Sequence, residues 1–382
     1  MEPMNLNFDF RDIFKSPRLA LSGKKIWIFI FANFISYLIY FILNYIALAL
    51  SGYSFINIWS TQGLYPCLLI TGGPWYALVL FWASILFWLY AIQIASTAVS
   101  RITYKQLKGD EFYSINDSYN YIKKHWHPLI FTSFSLGLII FIFVLVSALF
   151  ALLGKIPFIG EFIFSIPYLL YLFGSIFTIY TGLVLVVSFI YSPSIIGTLE
   201  EDTMGSVFNN YAITWGQPWR IIIYNIILIP LACFSVAIFK LVLFYGMKLI
   251  NVIMSHEILM GSKLTNIIGF AANTVWPQKL FTSIAENFTT CSIFCDSACN
   301  LGFHMSAFFD FFIPINSSNI SSLESIAGII IGFFLIIISI SFISYFLSIF
   351  SVGETIMFII FRKISDDDNV LLHKDGEDFD AE

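Results

Sequence analysis

Charged side chains are the scarcest class in this 382-residue chain, where Lys, Arg, Asp and Glu together make up 11%. An ordinary globular protein carries roughly a quarter, because Lys and Glu must cover its wet surface. A water-soluble domain is therefore excluded. Positive charge is scarcer still: 19 Lys and Arg against 24 Asp and Glu leave a formal net charge of -5, which excludes nucleic-acid binding through a basic face. Five cysteines are too few for a disulfide scaffold. Alternating ten-residue segments, the mark of a membrane β-barrel, do not recur. G-x-S-x-G, P-loop and Rossmann fingerprints are missing as well.

What fills the chain is apolar surface. Hydrophobic residues make up 58% of it, including 43 Phe, 19 Tyr and 9 Trp, and the mean hydropathy is +0.85. About 20 apolar residues in a helix cross a hydrocarbon core of about 30 Å. Six runs reach that length: 26–50, 75–100, 129–153, 162–191, 221–245 and 325–350. Backbone groups in lipid find no water, so each run must close its hydrogen bonds as a helix. The expected fold is all-α: a polytopic transmembrane helical bundle with interfacial amphipathic helices, one membrane domain over residues 1–363. Residues 246–324 are expected as an outer interfacial segment, with Met247, Ile250, Ile253 and Met254, then Ile267, Ile268 and Ala271, near helical spacing. Residues 364–382 read as a solvated acidic tail.

Loop charge sets the orientation. Arg11, Lys15, Arg18, Lys24 and Lys25 precede the first run, and Arg101, Lys105, Lys108, Lys123 and Lys124 follow the second, whereas 51–74 holds no basic residue. The positive-inside rule places the N-terminal segment and the second loop in the cytoplasm, and six crossings return the tail there. A cytoplasmic (plasma) membrane of prokaryotic type is the expected location. A cleavable signal peptide does not fit a 25-residue apolar run behind a 25-residue polar head. Phe8, Phe10, Ile13 and Phe14 among Arg11 and Lys15 form either a short helix in the headgroup plane or a flank that only sets topology.

Inside the runs, ionisable residues would mark ion or proton pathways. Within these bounds only Lys240 qualifies, one turn from a span end and able to snorkel. Polar stripes remain. Asn33, Ser36, Tyr37, Tyr40 and Asn44 share one helix face, and Gln93, Ser96, Thr97 and Ser100 another; these faces form helix interfaces or line a polar cavity for a headgroup or small solute. Ser341, Ser344, Ser348, Ser351 and Thr355 mark the sixth run, and Gly174, Gly182, Gly328 and Gly332 offer close helix approach. Cys67, Cys291, Cys295 and Cys299 fall outside, where one disulfide can form, although i, i+4 spacing on a helix suits it poorly. Cys291, Cys295 and Cys299 with His304 have ligands suited to zinc but no established spacing, so no metal and no cofactor is assigned. His256-Glu257 opens a zinc-protease helix motif that fails at Met260, and His125 and His127 point to different helix faces.

Two loops echo one another at an offset of 90 residues. Asp110-Glu111 falls on Glu200-Glu201, Asn120-Tyr121 on Asn210-Tyr211, and Pro128 on Pro218. Each reads as an amphipathic helix along the inner interface with proline at its junction with the next span. The stretch Glu200-Glu201-Asp202, then Tyr211-Ala212-Ile213-Thr214-Trp215-Gly216-Gln217-Pro218-Trp219-Arg220, resembles the polytopic membrane domain associated with bacterial glycerophosphodiester phosphodiesterases and its stand-alone relatives. Gly353-Glu354-Thr355, through Phe361-Arg362-Lys363, is similar to the end of those relatives, and the likeness covers about two fifths of the chain. It implies a helical bundle without assigned activity. The phosphodiesterase barrel has no counterpart among these residues, so no catalytic residue carries over.

The functional expectation is a non-enzymatic scaffold or accessory subunit, with the lipid bilayer and other membrane proteins as partners. A passive transporter or binder of a lipid or small solute, using the Asn33 and Gln93 faces, is the alternative. The topology is testable by single cysteines introduced as Ser60→Cys and Asp366→Cys: an impermeant thiol reagent should reach them from opposite sides of the membrane, and labelling of both from one side contradicts the six-span count.

Overall fold

The structure is a computed structural model that describes residue 4 and residues 6–156, 160–275 and 320–372. Six long helices dominate: Gly23–Leu50, Trp75–Leu107, Ile115–Leu153, Tyr168–Leu199, Pro218–Met254 and Ser322–Asp366, here the first to sixth spans. No strand occurs among the described residues. All six are long and apolar enough to cross a membrane, and Phe141, Leu145, Ile176, Phe234 and Ile330 stand exposed along them. In water such surface would aggregate; against acyl chains it costs nothing. The protein is an all-α, multi-pass integral membrane protein.

The helices outrun the apolar runs that define them. The second continues from 100 to Leu107 and the sixth from 350 to Asp366, because a helix ends where its capping and packing end, not where hydrophobicity stops. This corrects the reading that Lys240 alone is ionisable within a span: Lys25, Arg101, Lys105 and Glu354 all lie in long helices and are buried. The fifth span absorbs Met247 to Met254, which therefore do not form a separate interfacial helix. A further helix, Ser262–Val275, does form, with Leu264, Ile267, Ile268 and Ala271 buried. Cys291, Cys295 and Cys299 lie outside the described residues.

The two echoing loops take related forms. Ser114 caps the third span through a reciprocal box with Asp117, and Asp202 caps the helix Thr203–Gly216 by accepting from the Gly205 N–H at 2.7 Å. Both helices then break shortly before a proline. His125 leaves helical geometry (φ −115°, ψ 21°) ahead of Pro128, and Gln217 (φ −141°, ψ 46°) separates Thr203–Gly216 from Pro218. Thr203–Gly216 has two apolar faces. Val207 and Ile213 are buried with Leu136 and Val184 nearby, while Met204, Phe208 and Trp215, spaced by whole turns, are exposed as in an interfacial helix.

Two compact units divide the chain. One holds Met1–Ala32, Tyr90–Phe234 and Tyr345–Glu382, and is called here the Arg101 unit; the other holds Asn33–Leu89 and Ser235–Ser344. The second is centred on Ala47, Leu48, Ile58, Leu68, Ala77 and Phe81, with a separate cluster of Ala271, Ala272, Val275 and Leu335. In the Arg101 unit the chain after the sixth span is not all solvated tail. Val370–Leu372 forms a 3-10 turn with Val370 and Leu371 buried, and the Tyr104 hydroxyl donates to the Val370 carbonyl at 3.0 Å. An apolar Val-Leu pair behind the acidic cluster gives this segment something to bury; residues 373–382 lie outside the described part.

A small residue lets two helices meet through backbone in the Arg101 unit, at a position the sequence pattern did not mark. A Cβ on Gly197 would lie 2.9 Å from Ser100 Cβ, 3.1 Å from the Arg101 amide nitrogen and 3.2 Å from the Thr97 carbonyl, so the second and fourth spans touch through backbone. Gly182, which the pattern did mark, has nothing within 4 Å of its missing Cβ. Gly197→Ala should lower the unfolding stability in detergent by about 1–3 kcal/mol through overpacking. Gly182→Ala should be neutral or stabilising by up to about 1 kcal/mol, since only helix propensity changes. Equal effects of the two substitutions in thermal unfolding would contradict this assignment of the contact.

Candidate functional site

The polar stripe of the first span is occupied by its neighbours. The Trp88 indole donates to Asn33 Oδ1 at 3.0 Å, and Asn33 Nδ2 donates to Ser344 Oγ at 3.3 Å. Asn44 Nδ2 donates to the Tyr40 carbonyl (2.9 Å) and to Ser84 Oγ (3.2 Å), while Asn44 Oδ1 and Ser36 Oγ are buried without a partner among the described residues. Three phenols grip the loop that follows: Tyr37 donates to the Leu64 carbonyl, Tyr40 to that of Pro66 and Tyr45 to that of Gly63, each at 2.8 Å. In the same loop, Tyr65 donates to the Val275 carbonyl at 2.8 Å, and burial pushes its phenol up to about 12. Cys67 is half-buried with a free thiol, and its backbone N–H is held by Gln62 Oε1 at 2.7 Å.

The second-span stripe works the same way within the Arg101 unit. Gln93 Nε2 donates to the Phe189 carbonyl at 2.6 Å, Thr97 Oγ1 bonds back to the Gln93 carbonyl at 3.0 Å, and the Ser96 carbonyl accepts from Ser351 Oγ at 3.0 Å. Ser100 extends this into a hydroxyl cluster, 3.3 Å from Ser351 Oγ and accepting from Thr355 Oγ1 at 3.0 Å, with Ser194 Oγ 3.5 Å from Thr355 Oγ1. Three spans are thus joined by hydroxyls at the point where Gly197 lets them meet. A hydroxyl pair between helices contributes about 0.6 to 2 kcal/mol, so the cluster is a substantial fastening.

Next to the cluster sits Arg101, with no solvent exposure. Its Nη2 lies 2.5 Å from Glu200 Oε1, while its guanidinium carbon stands 4.4 Å from the Tyr121 ring centroid and 5.7 Å from that of Tyr104. Among the described residues, Nε and Nη1 meet no acceptor in hydrogen-bond geometry. A guanidinium tolerates this better than an ammonium would, since it is weakly hydrated and stacks on aromatic faces. Glu200 keeps 24% of its side chain exposed and takes φ +58°, the left-handed conformation at the end of the fourth span where glycine is the usual residue. That conformation costs a non-glycine residue about 1 kcal/mol, which the ion pair with Arg101 offsets. Lys25, also fully buried, donates to the Leu19 carbonyl (3.0 Å) and to Gln106 Oε1 (2.9 Å).

Glu354 is a buried carboxyl of this unit, as is Asp12, whose Oδ1 accepts from Lys15 Nζ at 2.7 Å. Glu354 shares a helix face with Met357 and Phe361, which meet the Tyr191 hydroxyl (3.4 Å) and ring, while Asn225 Nδ2 donates to that hydroxyl at 3.0 Å. Sequence reasoning missed Arg101, Lys25 and Glu354 because the spans were bounded by apolar length. One signal was available: the Ser341-to-Thr355 stripe keeps its helical spacing past residue 350, and Glu354 lies inside it.

The residues that carry the family resemblance have structural tasks. Glu200 pairs with Arg101, Asp202 caps a helix, Glu201 accepts from Asn209 Nδ2 at 3.4 Å, and the Arg220 guanidinium stacks on the exposed Trp219 at 4.7 Å. His125 stacks on Tyr121 (4.3 Å), and His127 makes a tilted ring contact with Trp126 (3.7 Å). Elsewhere in the unit an open groove of about 610 Å³ runs between the third and fourth spans, lined by Phe143, Phe150, Leu170, Phe173, Gly174 and Thr178; the Tyr171 hydroxyl beside it is buried without a partner among the described residues. Comparison with protein families, with curated proteins and with solved structures finds no match to this chain.

The ion pair gives an ordered prediction. Glu200→Gln strands a buried guanidinium and should lower stability by about 2 kcal/mol, discounted from the fully buried case for the exposure of Glu200. Arg101→Met removes the buried charge itself and should cost less, and adding Glu200→Gln to Arg101→Met should cost little more. Additive losses in a double-mutant cycle, read by unfolding in detergent, would contradict the pairing.

Proposed function

We propose that this multi-pass membrane protein is a non-enzymatic scaffold or accessory subunit in the organisation of a prokaryotic cytoplasmic membrane or envelope, with its N-terminal segment and the chain after the sixth span in the cytoplasm. One observation carries the reading. The polar side chains a carrier would aim into a pathway are instead bonded between helices: Asn33 to Trp88 and Ser344, Gln93 to the Phe189 carbonyl, and Arg101 to Glu200. Such bonds fix one arrangement of helices, whereas alternating access needs two. Exposed apolar faces on several spans leave room for partner helices within the bilayer. The resemblance to the membrane domain found beside glycerophosphodiester phosphodiesterases supports the same role, since that domain accompanies an enzyme and carries no assigned chemistry of its own.

A second reading, a binder of membrane lipid, is favoured by the groove between the third and fourth spans. Its apolar lining suits an acyl chain, and the Tyr171 hydroxyl offers a donor for an ester oxygen. Gly174→Leu would fill it.

The protein, solubilised gently from its own membranes, should retain a stoichiometric membrane-protein partner, and the pure protein in liposomes should leave lipid and solute flux at background. Asn33→Leu should lower stability by about 1–2 kcal/mol through two lost hydrogen bonds and leave flux unchanged. Flux above background that Asn33→Leu or Gln93→Leu removes would overturn the scaffold reading. Lipid retained by the protein and lost with Gly174→Leu would instead support the second.

A further inference from the structure

Two short stretches of the Arg101 unit hold cations beside aromatic rings on an exposed face. The first is the N-terminal segment, which takes the helical one of the two forms open to it: a 3-10 helix at Phe10–Lys15 runs into an α-helix at Ser16–Ala20. Its rotation is fixed at the far end. The Pro17, Leu19 and Ala20 carbonyls, at a helix end where acceptors outnumber backbone donors, accept from the Tyr345 hydroxyl (3.4 Å), Lys25 Nζ (3.0 Å) and Ser348 Oγ (3.1 Å). Asp12, Ile13, Ser16, Leu19 and Ala20 are buried, and Phe10, Arg11, Phe14, Arg18 and Leu21 are left exposed. Leu21 lies two residues before Gly23, the first residue of the first span, so this face is held at that span's mouth.

The second stretch leads into the third span. Where the helix breaks at His125 ahead of Pro128, Lys123, Lys124, Trp126 and His127 are exposed, and Phe131 and Phe134 continue the exposed surface along the span. Cations, then an indole, then phenyl rings is the order in which a helix entering a bilayer meets phosphate, interface and acyl chain. Two crossings separate the start of the first span from that of the third, so both faces meet the same leaflet.

The acids on these stretches do not neutralise the exposed cations. Asp12, next to Arg11 in the chain, pairs with Lys15 at 2.7 Å, and Asp117 is taken up by the Ser114 cap. Among the described residues, Arg11, Arg18, Lys123 and Lys124 form no side-chain hydrogen bond or ion pair. The rings beside Lys123 and Lys124 are continuous with the lipid-facing side of the third span, which a soluble acidic partner could not reach.

From this geometry we infer that both faces bind anionic phospholipid of the leaflet they meet. Arg11, Arg18, Lys123 and Lys124 hold the phosphates, while Phe10, Phe14, Leu21 and Trp126 sit among the upper acyl carbons. A basic side chain near an anionic surface strengthens attachment about five-fold, and the screening length falls from about 10 Å at 0.1 M salt to about 3 Å at 1 M. The inference rests on the six-span count. It is independent of the scaffold role and of the apolar groove between the third and fourth spans, which would hold an acyl chain whatever its headgroup.

The full chain in detergent, offered equal amounts of phosphatidylglycerol and phosphatidylcholine with matched acyl chains, tests it. Lipid that stays with the protein through size exclusion is quantified by mass spectrometry. Phosphatidylglycerol should be retained about five-fold or more over phosphatidylcholine at 0.1 M NaCl, and the ratio should fall towards one at 1 M. Arg11→Gln with Arg18→Gln, and Lys123→Gln with Lys124→Gln, should each lower the ratio by about two-fold or more, and all four together should bring it near one. The four side chains are exposed and unpaired, so the unfolding temperature should hold. Lys155→Gln, which replaces an exposed cation past the other end of the third span, should leave the ratio as it was. The inference is overturned if phosphatidylglycerol has no preference, if the four-residue variant or high salt keeps it, or if Lys155→Gln lowers it equally. Loss of the preference in Gly174→Leu would also overturn it, by assigning the selection to the groove.

Discussion

A fully buried guanidinium needs a counter-charge, and in the Arg101 unit that need organises the surroundings. Arg101 sits where the second span meets the fourth, and its partner Glu200 lies just past the fourth span's last turn. Holding Glu200 there requires a left-handed backbone that glycine would adopt more easily. The next residues then start the helix Thr203–Gly216, capped by Asp202, so the ion pair fixes the turn between a span and an interfacial helix. Tyr121 from the third span closes over the guanidinium and donates to the Ile196 carbonyl, bringing another helix into the contact. The cost of leaving a charge unpaired in this setting is larger than any single packing term nearby.

Around that pair, the same chemistry recurs with weaker groups. Ser100, Ser194, Ser351 and Thr355 join three spans through hydroxyls, and Gly197 permits the approach that makes those distances possible. In the other unit, Asn33, Asn44 and three tyrosines act between helices and on the loop carbonyls at 63, 64 and 66. Helices in lipid gain no hydrophobic drive toward one another, so hydrogen bonds and close backbone contact must supply specificity. Polar residues in these spans are therefore explained first as fastenings, which is why the proposed role is that of a framework.

How much of this was legible beforehand differs by level. Six spans and their order followed from apolar run lengths, and the helices that break before Pro128 and Pro218 followed from the aromatic spacing and proline; their caps did not, because Ser114 and Asp202 supply them rather than the acidic pairs at 110–111 and 200–201. The helix ends did not follow. Arg101 and Glu354 lie a few residues beyond the apolar runs, and a charge there reads as a loop unless the burial of its neighbours is known. Gly182 and Gly197 show the same limit. Both are glycines in one helix, yet only Gly197 meets another backbone, and which of them does so depends on where the second span passes.

Composition and run length determined the solvent, the helical class and the number of spans, because those are properties of each segment against lipid and need no partner. Tertiary structure alone decided which polar groups pair and which cations are left exposed outside the pairs. Asn33 and Ser344, Arg101 and Glu200, or Tyr104 and Val370 are far apart in the chain and have no periodicity in common. Their pairing depends on helix rotation and offset, which arise from the fit of whole faces rather than from any local pattern.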